Sequence, residues 1–177
     1  MIQIRQSIFE TNSSSSHSIV VRKRSTLLDL STDGNHYSDF ASFEDGVLSL
    51  RGGNHFGWGW DVLTNWLDRF AYAMASLGED KQSEILDGMK ERLKCEIEIT
   101  ECVPWWGDGS SRPDYGDVDH QSCGLLGSFL LETGIDVMDF IFDDKYVVII
   151  DNDNNDMDAY NAFIAKLDIE KEYNTWM

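Results

Sequence analysis

The stretch Asp61-Val62-Leu63-Thr64-Asn65-Trp66-Leu67-Asp68-Arg69-Phe70-Ala71-Tyr72-Ala73-Met74-Ala75-Ser76-Leu77-Gly78 carries the clearest period in the 177-residue chain. Leu63, Trp66, Leu67, Phe70, Met74 and Leu77 recur at spacings of three and four, which puts them on one face of a helix and predicts that helix over 61–77. Asp61 is placed to cap its start and Gly78 to end it. A second helix is expected over 80–94, with Ile85, Met89 and Leu93 as its apolar stripe. The short joint makes the two neighbours.

Around this pair the period changes from 3.6 to 2. In 95–103, Cys95, Ile97, Ile99 and Val103 share one parity while Glu96, Glu98, Thr100 and Cys102 share the other. That alternation predicts a half-buried strand whose polar face is acidic. Residues 145–151 form a continuous run, Tyr146-Val147-Val148-Ile149-Ile150 between Lys145 and Asp151, of the kind a doubly covered central strand shows. Further strands are expected over 2–9, 18–22 and 47–51, the first two as a hairpin. Further helices are expected over 119–132, 135–142 and 157–168, the last burying Tyr160, Phe163, Ile164 and Leu167. Residues 25–45 read as an irregular excursion, and Pro104 to Gly116, bounded by both prolines, as a loop. The order predicts a single α+β domain, with a mostly antiparallel sheet covered by helices.

Composition narrows the partners. The formal net charge is −18, with 14 basic and 32 acidic residues. Between Asp114 and Asp158 twelve carboxylates face only Lys145, a local balance of −11. Phosphate recognition rests on clustered Lys and Arg, so direct binding of nucleic acid is not expected. A basic protein surface or a cation would be attracted instead. Three cysteines without framework spacing fit a reducing, cytoplasmic setting, and no apolar run is long enough to span a membrane.

Two polar stretches draw attention as sites. Glu10-Thr11-Asn12-Ser13-Ser14-Ser15-Ser16-His17-Ser18 contains no apolar residue and lies between β-prone runs. Gly52 to Asp61 places four glycines among Phe56, Trp58 and Trp60. If the two loops meet, Arg5, Glu10, Asn12, Ser13, Ser14, Ser15, Ser16 and His17 would face aromatic walls from Phe56, Trp58 and Trp60. Such a pocket suits a small anionic ligand of the nucleotide or phosphate type. The same residues could instead form a buried polar plug that fixes the fold.

Other chemistry is weakly supported. Neither a Walker glycine pattern nor a dinucleotide fingerprint is present, there is no nucleophile elbow around the serines, and no cofactor is implied. Asp151 to Asp156 resembles the opening of a calcium loop but has Asp156 where glycine is required and Ala162 where glutamate is required. Cys102, His120 and Cys123 lack paired Cys-x-x-Cys spacing for zinc, and Cys95 has the opposite strand parity to Cys102.

The opening Ile4-Arg5-Gln6-Ser7-Ile8-Phe9-Glu10-Thr11-Asn12-Ser13-Ser14-Ser15-Ser16-His17-Ser18, with Gly52-Gly53-Asn54-His55-Phe56-Gly57-Trp58 downstream, resembles a family encoded by tailed bacteriophages and prophage-bearing bacteria. The two motifs cover about 25 residues, and relatives would carry an acid sooner after Gly-Trp than Asp61. The resemblance implies an accessory protein acting in the cytoplasm of an infected cell, and brings no reaction with it. Two functions follow as expectations. One is binding to a host or phage protein, such as a defence enzyme, through the acidic surface. The other is an enzyme or receptor for a nucleotide-like ligand at the two loops.

Overall fold

The computed structural model describes residues 15–23, 35–57, 59–100, 102–104, 111–119, 122, 124–152, 162 and 164–174. They form a single α+β domain built round one buried helix, α1 (Trp66–Ser76). Every residue of α1 from Trp66 to Met74 is buried, so this helix is enclosed all round rather than on one stripe. Its start differs from the sequence expectation. Asp61 lies in a short strand, β6 (Asp61–Leu63), and the cap is Asn65, whose side chain accepts the Asp68 N–H at 2.9 Å. Gly78 likewise does not end α1. The C-cap is Leu77, in extended conformation, and Gly78 is the N-cap of α2 (Glu79–Leu93).

On one side of α1 stands a fully antiparallel sheet made of β1 (Ser15–Arg22), β11 (Tyr146–Asn152), β12 (Ile169–Asn174) and β6, ordered β12-β1-β11-β6. Its two central strands are covered on both faces. Ile19, Val148 and Ile150 join the main core around α1, whereas Val20, Val147 and Ile149 form a second cluster on the opposite face. Ile164 and Leu167 pack on that second cluster. The doubly covered reading of 145–151 holds, because Tyr146 to Ile150 are at most 1% exposed.

The expected partner of 18–22 is different. Ser18–Arg22 is paired with β12 on one edge and β11 on the other, so the 18–22 strand is central and its neighbours come from the far end of the chain. Residues 2–9 lie outside the described set. β12 carries Glu170, Lys171 and Glu172 in exposed positions, a charged pattern that hides its strand character from hydropathy and suits an edge.

On the other side of α1 is a mixed sheet of β2 (His36–Tyr37), β3 (Ala41–Glu44), β4 (Val47–Leu50) and β7 (Glu96–Ile99), in the order β2-β3-β4-β7. Residues 35–44 are therefore not irregular. Asp45 and Gly46 both have positive φ, 50° and 81°, and close β3 onto β4 with Glu44 opposite Val47. Asp-Gly is the turn pair a two-residue hairpin requires. β7 runs parallel to β4, and the expected strand over 95–103 is broken after Ile99. Its remainder is β8 (Cys102–Pro104), paired with β9 (Ser111–Pro113). The two prolines sit at the ends of that ladder, where a missing N–H costs least.

A parallel pair, β5 (His55–Phe56) with β10 (Asp117–Val118), and two helices, α3 (Leu125–Thr133) and α4 (Val137–Phe142), complete the described fold. α3 starts later than the expected 119, and Gly134, at φ 67°, caps its end. Among the described residues no helix is long and apolar enough to cross a membrane.

Candidate functional site

Of the two motif-bearing stretches, His17 from the first and Phe56 from the second both reach Tyr72 inside the protein. Ser15, Ser16, His17 and Ser18 are strand residues of β1, not loop. Strand alternation turns His17 to the same face as Ile19, toward α1, where it is fully buried. There His17 Nδ1 lies 3.0 Å from the Tyr72 hydroxyl, with the two rings 5.7 Å apart. Phe56 is also fully buried and packs edge-to-face against the same phenol ring, at 5.3 Å. One ring of α1 thus contacts a residue of each stretch.

Asp119 completes the node. Its backbone N–H donates to the Phe56 carbonyl at 2.9 Å, and its carboxylate acts on the His17 imidazole. Burial dominates that imidazole, lowering its pKa from 6.5 to about 4 against the opposing pull of Asp119. His17 is consequently neutral at neutral pH. It can hold one hydrogen on one ring nitrogen and accept at the other, which is the state a hydrogen bond with a phenol needs.

The aromatic residues do not form one wall. Phe56 belongs to the main core, while half-buried Trp60 packs against the cluster of Val20, Val147 and Ile149 on the other face of the β1 sheet. Ser16 is half-buried, and Ser18 donates to Asn174 Oδ1 at 2.6 Å, tying β1 to β12. Arg5, Glu10, Asn12, Ser13, Ser14 and Trp58 lie outside the described residues, as does the side chain of Ser15.

The metal candidates divide in the same way. His120, Cys123, residues 153–156 and the side chain of Cys102 lie outside the described set. Among the described residues no group of three His, Cys, Asp or Glu is arranged to hold a metal ion. Cys95 is a half-buried free thiol whose pKa is raised by burial. His55 Nδ1 is engaged across the β5–β10 pair by Asp117 Oδ1 at 2.8 Å.

Two features escaped the sequence reading. The first is Arg69, fully buried on α1. Its Nε donates to the carbonyls of Phe140 and Ile141 in the last turn of α4, at 3.1 and 2.9 Å. Its Nη1 donates to Thr64 O at 2.6 Å and Tyr146 O at 3.1 Å. A helix end leaves such carbonyls without internal donors, so Arg69 caps α4 from within the core. Burial lowers its pKa to about 10, with Asp144 opposing, so the cation survives at neutral pH. The second is an acidic group at the start of α1, with Asp68 buried, Asp61 half-buried and Asp39 exposed. Burial is the main cause raising the pKa of both Asp61 and Asp68, and Asp39 adds to each. Asp68 accepts from Asn65 Nδ2 at 2.5 Å, which ties its carboxylate to the cap.

Compared with protein-family models, curated proteins and solved structures, the chain matches none.

Proposed function

We propose that the protein acts by binding, presenting its acidic exterior to a basic surface of another protein. In the setting that the motif resemblance implies, that partner is a host or defence protein of an infected bacterial cell. The observation that carries this reading is the outward face of the sheet β2-β3-β4-β7. Glu44, Glu96 and Glu98 are exposed there, Glu44 and Glu96 on either side of Val47 across β3, β4 and β7, and Glu98 two residues further along β7. Carboxylates fixed on one sheet face give electrostatic attraction with a defined geometry, and attraction of this kind steers encounter and selects partners by sign.

The state of His17, Tyr72 and Phe56 favours the same reading over a nucleotide site. All three are fully buried, with Tyr72 bonded to His17 and packed edge-to-face on Phe56, which also packs on Phe40. They act as the polar plug that fixes β1 and β5 to α1. The reading is tested by capture from a bacterial lysate on immobilised full-length protein at low and high salt. A specific partner held at low salt and released at high salt is expected, because exposed charge attraction is screened. No specific partner at either salt would contradict it.

A further inference from the structure

We infer that the outer edge of β7 takes up an extended segment of the partner protein in which lysine or arginine alternates with apolar residues. The inference rests on the binding reading above and names where and how the partner docks. β7 is the last strand of its sheet among the described residues. Its Glu96 N–H donates to Gly46 O and the following Thr100 N–H to Leu50 O, each at 3.0 Å. In a strand, backbone groups alternate in direction, so 96, 98 and 100 spend theirs on β4. Those of Ile97 and Ile99 therefore point to the open side. A strand edge with outward N–H and C=O groups is a template for another strand.

The side chains define what fits. Glu96 and Glu98 are exposed on the outward face, while half-buried Ile97 and Ile99 lie beside Leu48 and Leu50 on the core face. A strand added here would set one row of its side chains beside the two carboxylates and the other beside the isoleucines. Opposite charges directly across a sheet attract and like charges repel, so the outward row must be basic and the inward row apolar. The same rule disfavours a second copy of this chain. Antiparallel pairing of β7 with itself by a two-fold axis keeps outward residues opposite outward residues, which brings glutamate against glutamate. Acidic edge residues also guard an edge against indiscriminate pairing, so selectivity is the point to test.

The probe is a fluorescein-labelled synthetic peptide alternating lysine and valine, read by anisotropy against the full chain at low salt, beside a peptide of the same composition with the lysines in one block. The alternating peptide is expected to bind at least about tenfold more tightly than the block peptide. Ile97→Pro removes an outward N–H without touching the ladder to β4, a position where proline is tolerated in edge strands. It should weaken the alternating peptide about tenfold and leave the block peptide unchanged. Exchanging both glutamates in Glu96→Lys/Glu98→Lys, at solvent-facing positions, should move the preference to a peptide alternating glutamate and valine. Equal binding of both lysine peptides, or full affinity in Ile97→Pro, would overturn the edge and leave the acidic-surface reading standing. Absence of binding by either lysine peptide would count against both. A dimer lost in Ile97→Pro would overturn the inference by giving the edge to self-association.

Discussion

The two four-stranded sheets flank the same helix and end differently. In one, β1 and β11 are covered on both faces, and a fully buried histidine on the inner face is bonded to Tyr72. In the other, β3, β4 and β7 bury Phe43, Leu48 and Leu50 against α1 but turn Glu44, Glu96 and Glu98 to solvent. Two sheets of the same strand number thus serve opposite tasks. A sheet with two apolar faces is committed to holding the fold, whereas one with a charged face and an open edge has surface left for a partner. Polarity alone does not mark a working surface. The most polar described strand opening, Ser15 to Ser18, belongs to the sealed sheet.

The largest effect that would break this contrast lies at Arg69. Arg69→Met keeps the apolar stem but strips donors from the carbonyls of Phe140, Ile141, Thr64 and Tyr146, the last at the start of β11. A loss of about 3–5 kcal/mol is expected from chemical denaturation, on the scale of breaking a buried charged network. A near-neutral result would mean that the sealed sheet does not need this clamp.

Gly116 comes next. Its φ is +87°, and an added Cβ would stand 2.3 Å from the Asn54 carbonyl oxygen. That close approach holds β10 against β5, since the Asp117 N–H donates to the same oxygen at 2.8 Å. Gly116→Ala should cost about 1–3 kcal/mol through backbone strain, read as a lowered melting temperature.

His17 sharpens the contrast through pH. Its folded pKa of about 4 lies below the unfolded value of 6.5, so the unfolded chain binds its proton first on acidification. The His17 contribution is fully present above the unfolded value and is lost as pH falls from there toward the folded one. The slope approaches about 1.4 kcal/mol per pH unit in that window. Asp61 and Asp68, whose pKa values are raised, act in the opposite sense. The difference between wild type and His17→Gln isolates the histidine. The stability gap between the two should narrow as pH drops through this window, and a constant gap would show that His17 titrates as in water.

The smallest effect is expected on the open sheet. Glu96→Ala and Glu98→Ala should each change stability by less than about 0.5 kcal/mol, as exposed substitutions do. A larger loss would mean that the carboxylates hold the fold rather than face a partner.

Much of the architecture was legible in the sequence because hydropathy has a period. The runs at 80–94, 145–151 and 47–51 needed no context. Other features were hidden for identifiable reasons. The Asp61 cap was misplaced because Asp61 and Asn65 are both good caps, and only pairing of Asp61 with Ile150 in β6 decides between them. β12 was missed because three charged residues in a row mask an edge strand. β3 could have been found from Asp45-Gly46, a hairpin pair read only as the end of an irregular stretch. At the candidate site, His17 and Phe56 stood out in the sequence, but Tyr72, the ring that both touch, lies off the apolar stripe the helix period picks out. No local signal marks the hydroxyl that receives His17. Arg69 was invisible for the same reason, since a charged residue inside a helix reads as solvent-facing until the helix is known to be enclosed.

Among the described residues, the Ile97 and Ile99 backbone groups face away from β4 while β11 is paired on both sides, and amide hydrogen exchange read residue by residue measures that difference directly. In the protein alone, the Ile97 and Ile99 amides should exchange fast, while the Glu98 amide and those of Val148 and Ile150 are protected. Adding the alternating lysine–valine peptide should slow exchange at Ile97 and Ile99 and leave the β11 amides as they were. Slow exchange at Ile97 and Ile99 before any peptide is added, or peptide-dependent protection elsewhere with these two unaffected, would contradict it.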